Sequence, residues 1–447
     1  MLSSLSSNFT LKPSSGSIPF KILTWIIREA VGAVFVFSGF VKAIDPWGTL
    51  YKVEEYLSVM GISVWPTLMV VGVFLLCSIE FLTGVLLCFG CFRRSASLLA
   101  LAIMCFMLPL SLWIAVFNPV ADCGCFGDFL VISNWATFWK NVVLTAGVAW
   151  LTAYNRRIGW LITPAIQWIA LVATSLYVIC ICLAGYIYQP LLDFRPYPVG
   201  TALSETSEEE VAEPQYKFIY EKDGVKKEFA EDDVLPDEAD GWKFVDRVAI
   251  SDPGVDSRVE LRKGGNFRLW DLSGEEDVTE EVLDPSSDRL LLLMPDLKSV
   301  SIATTWKINS LYDWAHKNNI DMVAAVTGTH ADIDNWKDLS MPEYPIYIAD
   351  DTAIKEVARG NPAVVYTKGG IIRWKSSLRA LEADDFMSPD TASDPMSFSR
   401  DDHRLLLNFT YLFLTVMAVL AALSFIPRIR RFAFSSPKSD KEEENHS

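Results

Sequence analysis

The stretch Val120–Trp135, VADCGCFGDFLVISNW, sets two cysteines one residue apart in a loop between two apolar runs. A disulfide around Gly124 would close a ring too small to be a good staple. Cross-link stabilisation grows with the logarithm of loop length, which leaves at most ~1–2 kcal/mol for so short a loop, before strain. The dihedral and Cα separation of a disulfide are hard to meet across one intervening residue, and a strained, exposed bond exchanges readily. Gly124 relieves crowding inside such a ring, and Gly127 keeps the following turn open. Cys123 and Cys125 therefore read as a bond that is made and broken. A structural disulfide, idle thiols and a metal site stay open beside that reading. Metal is the weakest of them, because only Asp122 and Asp128 are near as extra ligands and no histidine is.

Outward from the loop, the chain shows six apolar segments of bilayer length, each needing ~17–25 residues. They are Phe20–Val41, Trp65–Phe89, Ala96–Phe117, Phe138–Tyr154, Trp160–Tyr188 and Leu405–Ile426. The first carries Arg28 and Glu29 and lacks a small-residue cleavage site, so it reads as a retained span rather than a signal peptide. Arg93 and Arg94, Arg156 and Arg157, and Arg428, Arg430 and Arg431 all fall on one face if the spans alternate. The positive-inside rule makes that face cytoplasmic, with both termini on it. Segment 43–64, the cysteine loop and region 190–403 then face the periplasm of a bacterial inner membrane.

Region 190–403 holds 44 acidic against 23 basic side chains, a net of -21 within a chain of net charge -16. Nucleic-acid binding needs basic clusters, so such a partner is excluded; the lipid bilayer is the partner the spans demand. All eight cysteines precede residue 183, which rules out a disulfide-built ectodomain. Cys77, Cys105, Cys180 and Cys182 lie within spans and read as small apolar residues. Cys88 and Cys91 form a C-x-x-C at the cytoplasmic end of the second span, where unremarkable thiols are the simpler reading. Cys123 and Cys125 alone face the oxidising side.

Charges inside a bilayer need partners, and the simplest pairing is Arg28 of the first span with Glu80 of the second. Gly32, Gly39 and Gly84 would permit close helix approach. Lys42, and Lys140 with Asn141, stand near the level of the cysteine loop, where a cation would raise the thiolate fraction of Cys123 or Cys125. Snorkelling of the two lysines to the interface is the alternative.

After the fifth span, LLDFRPYPVGTALSETSEEEVAE reads as a tether, and residues 216–287 alternate like short strands between D-G, P-G, G-G and S-G turns. From Arg289 the pattern becomes strand–helix alternation: LLLLMP, an amphipathic helix over Thr304–Lys317, MVAAVTG, YPIYIAD and the hairpin AVVYTKGGIIRW. Residues 289–381 resemble the thioredoxin-like fold, with Asn361–Pro362 where that family places its cis-proline. The segment after the first strand, MPDLKSVSIATTW, has no cysteine, so this domain cannot itself perform dithiol chemistry. A cleft near Asn361 and Pro362 for a peptide or extended segment is what the resemblance leaves.

Residues 25–155 resemble the MauE/DoxX family of redox-associated membrane proteins, through REAVGAVFVFSGFVKAIDPWGT, EFLTGVLLCFG and DCGCFGD followed by FWKN. The resemblance implies a four-helix membrane bundle and a tie to methylamine utilisation or thiol redox, and the MauE branch is thought to help form disulfides in a partner. Arg28, Glu80, Cys123, Cys125, Lys140 and Asn141 match the family pattern. The extra spans and large ectodomain depart from it and place a methylamine role in doubt.

The expected architecture is a membrane all-α helical bundle, a four-helix DoxX/MauE-like core plus two further spans. A soluble α/β thioredoxin-like ectodomain, preceded by a small β-rich region, completes it. The expected divisions are a tail at 1–19, the bundle at 20–155, a fifth helix at 156–189, linker 190–215 and the β-rich region at 216–288. A thioredoxin-like domain at 289–385, linker 386–403, a sixth helix at 404–427 and tail 428–447 complete the chain. The functional expectation is disulfide exchange at Cys123 and Cys125 with a periplasmic client or envelope complex. Asp122, Gly124, Gly127, Asp128, Lys140 and Asn141 would support the loop and its thiolate, and a quinone lodged in the bundle would carry electrons. The competing expectation is a non-enzymatic assembly subunit whose ectodomain binds a partner; copper-like metal binding at the loop is a third.

Overall fold

The structure, a computed structural model, describes residues 18–120, 122–157, 159–203, 216–222, 225–230, 243–249, 267–382, 384–387 and 394–434. The first part is helical: α1 (Ile18–Ile44), α2 (Pro46–Val59), α3 (Pro66–Phe89), α4 (Arg93–Phe117), α5 (Asn134–Ala153) and α6 (Gln167–Ile187). Local chemistry marks the ends. Asp45 caps α2 by accepting from Gly48 N, with Pro46 at its first position; Pro66 opens α3 and left-handed Gly90 ends it; Ser133 caps α5 through Ala136 N.

Among the described residues, four helices are long and apolar enough to cross a membrane: Pro66–Phe89, Arg93–Phe117, Pro164–Ile187 and Pro395–Ile426. The other two expected spans form helices, α1 and α5, but these carry Arg28, Glu29 and Lys42, and Lys140 and Asn141, and turn polar groups inward. Leu68, Val71 and Leu75 of α3 and Trp135, Trp139 and Val143 of α5 are exposed, an apolar outer face for contact with lipid.

The β-rich region is a three-stranded antiparallel sheet, β1 (Tyr216–Lys222), β2 (Val225–Ala230) and β3 (Lys243–Ala249), in the order β2-β1-β3. The α/β domain has five strands: β4 (Arg289–Met294), β5 (Asp321–Val326), β6 (Ile346–Ile348), β7 (Ala363–Lys368) and β8 (Ile371–Ser377). Its helices are α7 (Thr305–Lys317), α8 (His330–Ser340) and α9 (Asp351–Val357). The strand order is β6-β5-β4-β7-β8, with β4, β5 and β6 parallel and β7 and β8 antiparallel.

Both faces of this sheet are covered, which is why β4 reads as an unbroken apolar run. Leu290, Leu292 and Met294 pack with Ile308 and Leu311 of α7, while Leu291 and Leu293 pack with Ile354 and Val357 of α9. The segment leading into the domain covers the β8 edge, where Gly200 N donates to Ile372 O (2.8 Å) and Ile372 N to Thr201 O (2.9 Å). Asp193 anchors the same segment. Burial works against its charge, but Arg195 and Lys375 overcome that and hold the carboxyl at about 2.

The last helix, α10 (Asp402–Phe434), returns to the bundle. Phe413 stacks on Tyr177 of α6 at 4.3 Å, and Thr163 N donates to Ser424 Oγ at 2.9 Å.

Candidate functional site

Close approach of α1 and α3 sets the geometry of the site. A Cβ on Gly39 would overlap the Phe81 backbone, and one on Gly84 the Val36 backbone, while Gly32 lies against Cys88. The helices are therefore antiparallel, with each step up α1 matched by a step back along α3. Glu80 is level with Phe40, and Arg28 lies twelve residues deeper, about 18 Å at ~1.5 Å per residue. The expected Arg28–Glu80 pair is corrected for that reason. Glu80 pairs with Lys42, Nζ to Oε2 at 2.6 Å, and both side chains are buried. Arg28 pairs with its neighbour Glu29 and donates from Nη1 to Gly159 O at 2.7 Å, tying α1 to the turn before α6.

The cysteine loop sits on the Lys42–Glu80 pair. Lys42 Nζ also donates to Ser38 Oγ (3.1 Å), and Ser38 Oγ donates to Cys125 O (2.7 Å). On the other side Tyr56 OH of α2 donates to Cys123 O at 2.8 Å. Gly124 (φ +64°) and Gly127 (φ +52°) adopt the left-handed backbone that brings the chain round. The two thiols are free and 3.1 Å apart, about 1 Å longer than the ~2.05 Å of a bond.

The two sulfurs are not equivalent. The hydrogen bond from Cys123 lowers the Cys125 pKa; burial opposes this, but the cations of Lys140 and Lys42 add to the lowering. Cys125 is thus held below the ordinary cysteine range, and its hydrogen bond to Cys125 together with burial pushes Cys123 above it.

Lys140 stands over the Phe126 ring at 4.3 Å and lines a cavity with Ser38, Lys42, Glu80, Cys125 and Asn141. Asn141 is buried there, and its Nδ2 has no hydrogen-bond partner among the described residues. The cavity measures about 30 Å³, far below the ~300 Å³ or more of organic-ligand pockets, so it does not fit a quinone ring.

Asp122 and Asp128 are each taken up by an ion pair. Asp122 pairs with Lys52 of α2, and Asp128 with Arg359, just after α9. This removes the extra ligands that a metal at the loop would need. Arg359 also donates from Nε (2.9 Å) and Nη2 (2.8 Å) to Asp45 Oδ2, at the corner between α1 and α2. Gln189, after α6, clamps its backbone: Nε2 donates to Arg359 O (2.6 Å) and Arg359 N donates to Oε1 (2.9 Å).

The Asn361–Pro362 bond is cis and follows directly. Pro362 is buried, and Asn361 Nδ2 donates to Asp296 O (2.6 Å) and Ser299 Oγ (2.7 Å). The two loops meet at these residues instead of standing apart as a cleft.

Arg359, Gln189, Asp45, Ser38 and Tyr56 were not singled out by sequence. Only Asp45 carried a local signal, as an Asp-Pro helix start.

Residues 20–154, which take in α1 to α5, match the family model of the methylamine utilisation protein MauE. Residues 214–250 match a domain of unknown function, DUF8463. No curated protein matches the chain. Among solved structures, the mitochondrial 2-Cys peroxiredoxin from Plasmodium falciparum is similar at 12% identity, over 33% of this chain and 88% of that one. Its TM-score of 0.19 bears on neither fold nor function.

Proposed function

We propose that the MauE-like membrane domain of residues 20–154 performs thiol–disulfide exchange at Cys123 and Cys125, on the outer side of a bacterial inner membrane, with a periplasmic client. The observation that carries this reading is the asymmetry of the sulfur pair, with Cys125 held as a ready thiolate beside Lys42 and Lys140. The α/β domain, read as a cysteine-free thioredoxin-like fold, sits over the loop through Arg359 and presents the client. Arg93 and Arg156, in contact at the opposite end of the bundle, support the assignment of that end to the cytoplasm.

In the oxidising direction the loop starts as a disulfide. A client thiolate attacks Cys123 Sγ, the Cys123–Cys125 bond breaks, and its electron pair leaves on Cys125. The sulfur with the lower pKa is the better leaving group, and the two lysines receive its charge. A second client thiolate then attacks the client sulfur of the mixed disulfide and expels Cys123 as thiolate. The client is oxidised by two electrons and the loop reduced; the same groups serve the reverse direction.

In the reverse direction Cys123 attacks a client disulfide and Cys125 resolves the mixed disulfide, so replacing Cys125 with Ser should trap the client on Cys123, seen as a reducible band on a non-reducing gel and identified by mass spectrometry. Complete reduction of Cys123 and Cys125 in cells, with no mixed disulfide in C125S, would defeat the reading. The Arg359 clamp favours a second reading, an assembly subunit whose cysteine-free domain binds a partner. That reading wins if C123S/C125S keeps full cellular function while deletion of the α/β domain abolishes it.

A further inference from the structure

Cys77 of α3 and Cys182 of α6 meet inside the bundle. Ring contacts fix the register of these antiparallel helices: Phe74 meets Tyr186 at 5.6 Å, and Phe81 meets Tyr177 at 5.6 Å. Cys77 lies between the two α3 rings and Cys182 between the two α6 rings, so the two residues face one another in the same buried core cluster. Both residues are fully buried.

Their depth is the second observation. The α1–α3 register puts Cys77 level with Ala43, one residue from Lys42, and Gly185, just beyond Cys182, packs on Ile44 O. The Lys42 ammonium acts electrostatically on both Cys125 and Cys77. The two thiol pairs thus lie toward the same end of the bundle, with Lys42 acting on one member of each.

We propose that Cys77 and Cys182 form a second redox dithiol that exchanges its electrons with the Cys123–Cys125 loop. This rests on the loop chemistry proposed above and supplies its internal partner. With the loop oxidised, Cys77 as thiolate attacks Cys125 Sγ, the Cys123–Cys125 bond breaks, and Cys123 leaves as thiolate. Cys182 then attacks Cys77 Sγ and expels Cys125. One disulfide forms as one breaks, two electrons pass from the buried pair to the loop, and two protons follow them to Cys123 and Cys125. Lys42 stabilises whichever thiolate is exposed in passing.

The test uses the full chain in detergent, equilibrated with glutathione buffers of set ratio, acid-quenched, and alkylated before and after reduction for site-resolved mass spectrometry. The expected result is a Cys77–Cys182 disulfide in the wild type. It should form about tenfold more slowly in C123S/C125S, because a held partner outpaces encounter with glutathione. C77A/C182A, two small apolar replacements, should leave the loop pair titrating. If Cys77 and Cys182 stay thiols at every ratio while the loop titrates, the second dithiol is overturned and the loop reading survives. Formation at equal rates with and without the loop cysteines overturns the exchange route. A loop that never oxidises overturns both.

Discussion

Lys42 is a buried cation whose charge is balanced by Glu80 and whose field reaches Cys125. Breaking such a pair from one side strands the other charge, at ~3–5 kcal/mol. Lys42→Met should therefore lower the unfolding midpoint of the detergent-solubilised protein sharply, and Lys42→Met with Glu80→Gln should recover most of the loss. A double variant no more stable than the single one would show that Glu80 is not the group left stranded. The sulfur itself gives a pH signature. A thiolate held below the ordinary range is present at lower pH, so alkylation of Cys125 in the reduced protein should reach its half-maximal rate below the ~8.5 of a free thiol. Lys140→Met removes one stabilising cation and should move that midpoint up by about one pH unit. An unchanged midpoint would remove Lys140 from the site. At this scale the sequence displayed the C-x-C loop, its glycines and the candidate lysines. The partner of Glu80 was hidden, because span ends judged from hydropathy misplace interhelical depth by several turns.

Helices and strands were legible from periodicity, since each buries a face its own pattern defines. The contact between helices was less so. Gly39 and Gly84 were readable as sites of close approach, and the structure shows that a side chain there would meet backbone, which cannot swing aside. Gly39→Val should push α1 from α3 and separate Lys42 from Glu80, at ~1–3 kcal/mol for overpacking plus the loosened ion pair. Gly72→Val, facing open space, is the matched control and should melt near the wild type. Equal melting of the two variants would contradict the packing. The helix α2 lay in a segment read only as an outer loop, although Asp45–Pro46 is a helix-start pattern. It places Lys52 and Tyr56 against the cysteine loop, where the short hydropathy of Pro46–Val59 had no span to announce.

Arg359 joins the two halves of the molecule, and nothing local in the sequence could have shown it: Asp128 is 231 residues away and Asp45 is 314. Its guanidinium is buried between two carboxylates of the membrane part while Gln189 holds its backbone, so the α/β domain is fixed where Asp128 of the cysteine loop meets it. The strand order and the two covered faces of β4 show that this domain has its own core. Arg359→Ala should therefore loosen docking without unfolding either part. Two carboxylates would lose a shared partner, but both reach solvent, so the change in the docked arrangement is on the order of 1–2 kcal/mol. Hydrogen exchange should rise at residues 122–129 and at the turn around Gly360, while the strands β4, β5 and β7 stay protected. Faster exchange in those strands would mean that Arg359 stabilises the domain rather than its docking. Unchanged exchange at 122–129 would mean that the loop is held by Lys52, Tyr56 and Ser38 alone. Loss of docking with the loop intact would also separate the two proposed functions, sulfur chemistry in the membrane part and client presentation by the domain that Arg359 holds in place.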